Sequence, residues 1–278
     1  MHKFLVRAAS GIVYAAVIIL AIIFGEWTIY ALALAFAAIG VCELNNMSIG
    51  FSRKTLPIFI LSTLCVLLFI SIFKFSPVLS LPWRWCLIGI WIILVCIYYL
   101  SCNKIRVISH EEYTDEDNHK APLYGVGYLG FPLALMTVSP IERLPLLIFV
   151  LLWINDSGAY IVGSLTGRHK LCPSVSPNKT WEGFIGGCAL TLVGAFLLDR
   201  YCSGFFGMNH LPLWMWMSTG VFTCIFGTLG DLLESKTKRF YGVKDSGHWI
   251  PGHGGILDRI DSFLIAFPMA LFFLLLLN

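Results

Sequence analysis

An all-α fold, a polytopic integral membrane bundle of about nine transmembrane helices, is what the sequence predicts, and three observations predict it. The 278 residues are 58% hydrophobic and only 13% charged, with a mean hydropathy of +0.80, which leaves too little polar surface to coat a soluble globule of that size. Apolar stretches long enough to cross a hydrocarbon core of roughly 30 Å recur from end to end. Basic residues, finally, divide very unequally between the connecting loops, as they do when one side is retained in the cytoplasm.

The spans are predicted at approximately 8–25, 27–46, 55–73, 83–101, 122–139, 144–164, 181–200, 211–234 and 256–277. The first follows Lys3 and Arg7 and could pass for a signal peptide. More spans follow it, however, and no small-residue cleavage site precedes Glu26, so it is read as a retained span turned at Gly25 and Glu26. On this layout 15 of the 19 basic residues face one side, and only Lys74, Arg84, Arg143 and Arg200 face the other. The amino terminus is therefore expected in the cytoplasm. No separate soluble domain fits, so residues 1–278 are read as a single polytopic membrane domain in a cell (inner or plasma) membrane.

The connecting segments add little chemistry. The acidic run HEEYTDEDNHK at 110–120 has no apolar periodicity and reads as a solvated connector. GVGYLG at 125–130 matches a dinucleotide-binding pattern, but it lies inside an apolar span with no strand before it, so close helix packing through small residues is expected instead. The nine cysteines form no CxxC pair, and Cys65, Cys96, Cys188 and Cys224 fall within apolar runs as small hydrophobes. Neither a disulfide framework nor a zinc site is expected.

Three polar islands interrupt the second half. In NDSGAY, Asp156 follows the apolar run LLIFVLLWIN near the cytoplasmic end of the sixth span, with Tyr160 one turn away on the same side. In SPNKTWEG, which carries Glu182, Pro177 restricts the chain ahead of the seventh span, and either Ser176 or Thr180 is placed to cap that helix. Lys179 projects from the same helix start, where free amides attract anions.

The third island, SKTKRFYGVKDSGHWIPGHGGILDRID at 235–261, packs five cations, three acids and two histidines between two apolar runs. Charges at mid-membrane cost about 2.5–3.5 kcal/mol each, so so dense a set implies a compensating ligand. Helical spacing puts Asp231, Glu234, Ser235 and Lys238 on one face of the eighth span, and Asp258 opens the ninth ahead of Asp261 and Ser262. Carboxylates on two helix ends, joined by a loop bearing Lys238, Arg239 and Lys244, suit magnesium and polyphosphate, because magnesium takes oxygen ligands while basic groups balance the remaining negative charge.

These residues resemble the phosphatidate cytidylyltransferase family, also called CDP-diglyceride synthases. The family's carboxy-terminal signature runs through Ser235, Lys238, Arg239, Lys244, Asp245, Gly247, Ile250, Pro251, His253, Gly254, Gly255, Ile256, Asp258, Arg259, Ile260 and Asp261. NDSGAY and SPNKTWEG are similar to its upstream motifs, and Thr237 departs from the usual aliphatic residue. The resemblance implies that CTP and phosphatidic acid are joined into CDP-diacylglycerol and pyrophosphate, a nucleotidyl transfer of phospholipid biosynthesis.

On that reading the catalytic half is approximately 144–278. Asp231 and Asp258 are the expected ligands of Mg2+, with Lys179, Lys238 and Arg239 as catalytic cations. Ser176, Thr180, Lys244, His253, Gly254, Gly255 and Arg259 are expected to bind substrate, and Asp156, Glu182, Asp245 and Asp261 to support them. The expected partners are CTP, phosphatidic acid and the bilayer, with no nucleic acid; homo-oligomerisation is left open. A CTP-dependent lipid kinase would release CDP instead of pyrophosphate. A cation-coupled transporter is disfavoured because the charges gather at one face, and an intramembrane aspartyl protease because Thr228 breaks the GxGD motif.

Overall fold

The computed structural model describes residues 2–50, 56–75, 90–91, 125–252 and 254–277. Among them are eight α-helices: α1 (His2–Ile23), α2 (Glu26–Ile49), α3 (Leu56–Phe75), α4 (Phe131–Thr137), α5 (Leu144–Thr166), α6 (Trp181–Cys202), α7 (Leu213–Phe240) and α8 (Leu257–Leu276). All except α4 are, by length and composition, able to cross a membrane. The fold is thus the helical, polytopic class expected from composition, with seven rather than nine such helices among the described residues. The fourth predicted span and the acidic connector lie outside the described residues, Ile90 and Trp91 apart.

The fifth predicted span begins as a π-helical turn, Val126–Gly130, that runs into α4. A π-turn displaces a carbonyl from the regular ladder, and here Gly127 O accepts a hydrogen bond from the Trp91 indole at 2.6 Å. Of the glycines of GVGYLG, Gly130 fits the close packing expected, since a Cβ there would lie 3.3 Å from Val66 Cγ1, whereas Gly127 has nothing within 4 Å.

The chain clusters into two compact units, residues 1–138 with 236–260, and residues 139–235 with 261–278. In the first, α1 and α2 form a tight hairpin at Gly25, whose φ of 102° is a left-handed conformation that glycine adopts without steric cost. Asn45 Nδ2 on α2 donates to Ser62 Oγ on α3 at 2.5 Å, a polar tie between apolar helices. Lys74 at the far end of α3 pairs with Glu26 at 2.7 Å.

In the second unit a two-stranded antiparallel sheet, β1 (Lys170–Cys172) and β2 (Ser176–Thr180), precedes α6. No strand signal is legible at SPNKT. The strand exists because the backbone at 170–180 folds back on itself, pairing Lys170 with Thr180 and Cys172 with Ser176. Glycines then bring α6 against α5: at Gly187 a Cβ would lie 2.7 Å from Asn155 Oδ1, and at Gly183 2.9 Å from Ala159 O. Phe149 on α5 stacks on Phe263 of α8 at a centroid distance of 4.1 Å.

One expectation is corrected here: Cys188 on α6 and Cys224 on α7 are joined as a disulfide. Spacing could not reveal it, because the 36-residue separation is closed by antiparallel helix packing that brings the Cα atoms to 5.5 Å.

Candidate active site

Two groups of ionic residues are built, one in each unit. The first lies where the carboxy-terminal third of α7 meets the first turns of α8. A glycine permits it: a Cβ at Gly230 would lie 2.7 Å from Asp261 O, so the two backbones touch there. The contact brings one oxygen each from Asp231, Glu234 and Asp261 within 4.8 Å of one another. Glu234 and Asp261 are only 1% and 8% exposed.

Lys179 closes this group from β2, its ammonium 2.5 Å from Asp231 Oδ2, while Ser235 Oγ donates to Asp231 Oδ1 at 3.1 Å. Thr180 caps α6 by accepting a bond from Gly183 N at 3.1 Å, which fixes the strand-to-helix turn carrying Lys179. Glu182 accepts from the backbone N–H groups of Arg168 and His169 and lies 2.6 Å from His169 Nδ1. It therefore ties the entry of β1 to the first turn of α6. A cavity of about 430 Å³ opens here, lined by Asn155, Asp156, Tyr160, Lys179, Thr228 and Asp231. Asn155 is 4% exposed, and its Oδ1 has no hydrogen-bond partner among the described residues.

The donor set fits a hard divalent cation. All three acids offer oxygen, the donor that magnesium takes, from atoms within 4.8 Å of one another.

The second group is organised around the head of α8. Asp258, expected as a metal ligand, accepts from Lys238 Nζ at 2.7 Å, from Ser246 N at 3.0 Å and from Gly255 N at 2.8 Å. Its side chain is 6% exposed and that of Lys238 is 10%. Glu43, deep in α2, accepts from Ile256 N at 2.9 Å, Leu257 N at 2.8 Å and Ser246 Oγ at 2.9 Å. Two carboxylates thus take up the amides at this helix start. Gly254, at φ 79°, and Gly255 supply the tight turn, with Asp258 against one and Ser246 and Glu43 against the other.

Arg239 is exposed and donates to Val243 O at 3.0 Å. Lys244, Asp245 and Arg259 are exposed and line a second cavity, in the same unit, with Arg7 and His248. Ser176 sits on β2 opposite Cys172. His253 lies outside the described residues.

The structure therefore groups Asp231 with Glu234 and Asp261, and groups Asp258 with Lys238. Sequence reasoning placed Glu234 on the face of Asp231 without giving it a role, and missed Glu43, Asn155 and Arg7. Glu43 did carry a signal, as an acid set within an apolar run, but its partners lie more than 200 residues away.

Seven helices long and apolar enough to cross a membrane, with buried acids and a buried lysine near their ends, define a polytopic helical membrane protein. The pattern of the Cytidylyltransferase family matches residues 5–277, and the chain belongs to that family. The curated relatives are phosphatidate cytidylyltransferases. One from Staphylococcus epidermidis is 43% identical over 145 residues, covering 52% of this chain and 53% of its own length. Another, from Staphylococcus haemolyticus, is 50% identical over 121 residues, covering 44% and 45%. A third, from Staphylococcus aureus, is 42% identical over 149 residues, covering 53% and 55%. The chain spans about half the length of the curated relatives it matches.

Proposed function

We propose that the chain is a phosphatidate cytidylyltransferase of the plasma membrane, joining CTP and phosphatidic acid into CDP-diacylglycerol and pyrophosphate. One observation carries the reading: three carboxylates from α7 and α8 converge beside Lys179 at a polar cavity in an otherwise apolar helix bundle. Family membership and the names of the relatives support it.

The reaction is balanced without an external acid or base. A phosphate oxygen of phosphatidate attacks the α-phosphorus of CTP, the bond from that phosphorus to the bridging oxygen breaks, and pyrophosphate leaves with the electron pair. Phosphatidate is already an anion near neutral pH, so alignment and charge neutralisation suffice. Asp231, Glu234 and Asp261 would hold Mg2+, whose charge would offset that of the triphosphate and ease the departure of pyrophosphate.

Lys179 pairs with Asp231 before substrate arrives and turns toward phosphate oxygens afterwards. Thr180 and Glu182 keep its strand in place, and Ser176 and Asp156 offer polar groups to the nucleotide. Asp258 holds Lys238 and the 246–255 turn, so its part is to position a cationic loop in which Arg239, Lys244 and Arg259 meet phosphate. Asp245 tempers that charge, and His253, Gly254 and Gly255 shape the turn. The basic loops and the amino terminus face the cytoplasm, where CTP is made.

The test is incubation of purified protein with CTP, phosphatidate and magnesium, with identification of both products. CDP-diacylglycerol and pyrophosphate are expected. Formation of CDP with a phosphorylated lipid would replace nucleotidyl transfer by phosphoryl transfer. Asp231→Asn should lower turnover by about a hundredfold or more, the scale of losing a preorganised electrostatic group; near-normal turnover would remove it from the metal site.

A further inference from the structure

α1 is more than a membrane anchor. Three of its side chains, at positions 7, 10 and 14 on one face, engage the loop ahead of α8 and the first turn of α8 itself. Ser10 Oγ donates to Pro251 O at 3.0 Å, and Tyr14 OH donates to Arg259 O at 2.9 Å. Arg7 packs its stem on Gly252, whose φ is 76° and where a Cβ would lie 2.8 Å from Arg7 Cγ. The result is a cavity of about 500 Å³ lined by Arg7, Lys244, Asp245, His248 and Arg259.

Its charge is unbalanced. Three permanent cations face one carboxylate, and among the described residues Arg7, Lys244 and Arg259 form no ion pair. Cations held together by backbone anchors on both sides repel one another unless an anion joins them. Guanidinium groups suit phosphate oxygens, which they meet with two parallel donors.

The surroundings select the source of that phosphate. Arg7 stands at the start of the apolar stretch Val6–Ile23, and α1 exposes Ile12, Val13, Val17 and Leu20 beyond it. Trp249, next to His248, is 65% exposed, as aromatic residues at a membrane interface are. A lipid whose headgroup entered this cavity would lay its acyl chains along α1.

The geometry points to a phosphate site formed by Arg7, Lys244, His248 and Arg259 that receives the phosphomonoester of a diacylglycerol phosphate. This assignment rests on the reading of the chain as an enzyme acting on phosphatidate, and adds to it a lipid subsite completed by the first helix. Dioctanoyl phosphatidate titrated into the purified full chain, in detergent without nucleotide or magnesium, reads the site directly. Dioctanoylglycerol, which lacks the phosphate, and CTP are the two comparison ligands.

Arg7→Gln and Lys244→Gln are each expected to weaken phosphatidate binding by about tenfold, the loss of one charge-assisted contact, and to leave CTP affinity unchanged. Arg7→Lys, which keeps the charge, should lose less. Unchanged phosphatidate affinity in both glutamine variants overturns the site; a loss confined to CTP overturns the lipid assignment and gives the cavity to the triphosphate. Equal binding of dioctanoylglycerol overturns it as well. Phosphatidate binding that depends on Arg7 without any CDP-diacylglycerol formed would sink the proposed reaction and leave the site standing. CDP-diacylglycerol made by Arg7→Gln at an unchanged KM for phosphatidate would do the reverse.

Discussion

Glu43 shows how one side chain decides the conformation of a distant loop. Its two oxygens accept from two backbone amides and one hydroxyl, all from residues 246–257. Glu43→Ala would strand those donors where water is scarce, and should destabilise the protein by roughly 2–5 kcal/mol, seen as a lower melting temperature in detergent. Glu43→Gln keeps an acceptor and should cost less. Equal melting temperatures for the wild type and the alanine variant would show that the loop is held by other means. Asp258 is bound in the same manner, by one ammonium and two amides. Spacing identified it as an acid at a helix start, and could not reveal which donors the fold would bring to it.

Among the elements, the α5–α6 pair depends on an absence of side chains. Gly183 and Gly187 lie against α5, where any larger residue meets backbone or the buried Asn155. Gly187→Val should therefore cost about 1–3 kcal/mol and lower activity, because Lys179 and Thr180 precede the same helix. Gly204→Ala, with nothing within 4 Å of the new atom, is the control and should melt within about 0.5 kcal/mol of wild type. Equal effects from both would refute close packing as the cause. Helix positions were legible because a membrane crossing is a long apolar signal, and α6 begins at 181 as expected. The β1–β2 hairpin was not, since three- and five-residue strands leave no periodicity to read. The carboxylate cluster was half legible: helical spacing placed Glu234 beside Asp231, but the touching of α7 and α8 at Gly230 is a tertiary fact.

At the scale of the whole molecule, the uneven distribution of basic residues predicts an orientation that labelling can test. With the native cysteines replaced, a cysteine at Lys170 should react with a membrane-impermeant maleimide only in inverted vesicles, and one at Arg200 only in right-side-out vesicles. The opposite pattern would turn the protein over and move its nucleotide chemistry to the wrong compartment. The link between Cys188 and Cys224 bears on the same molecule differently. A protease that nicks the turn at 203–212, between α6 and α7, would yield two fragments still travelling as one band, and only a thiol reagent would let them part.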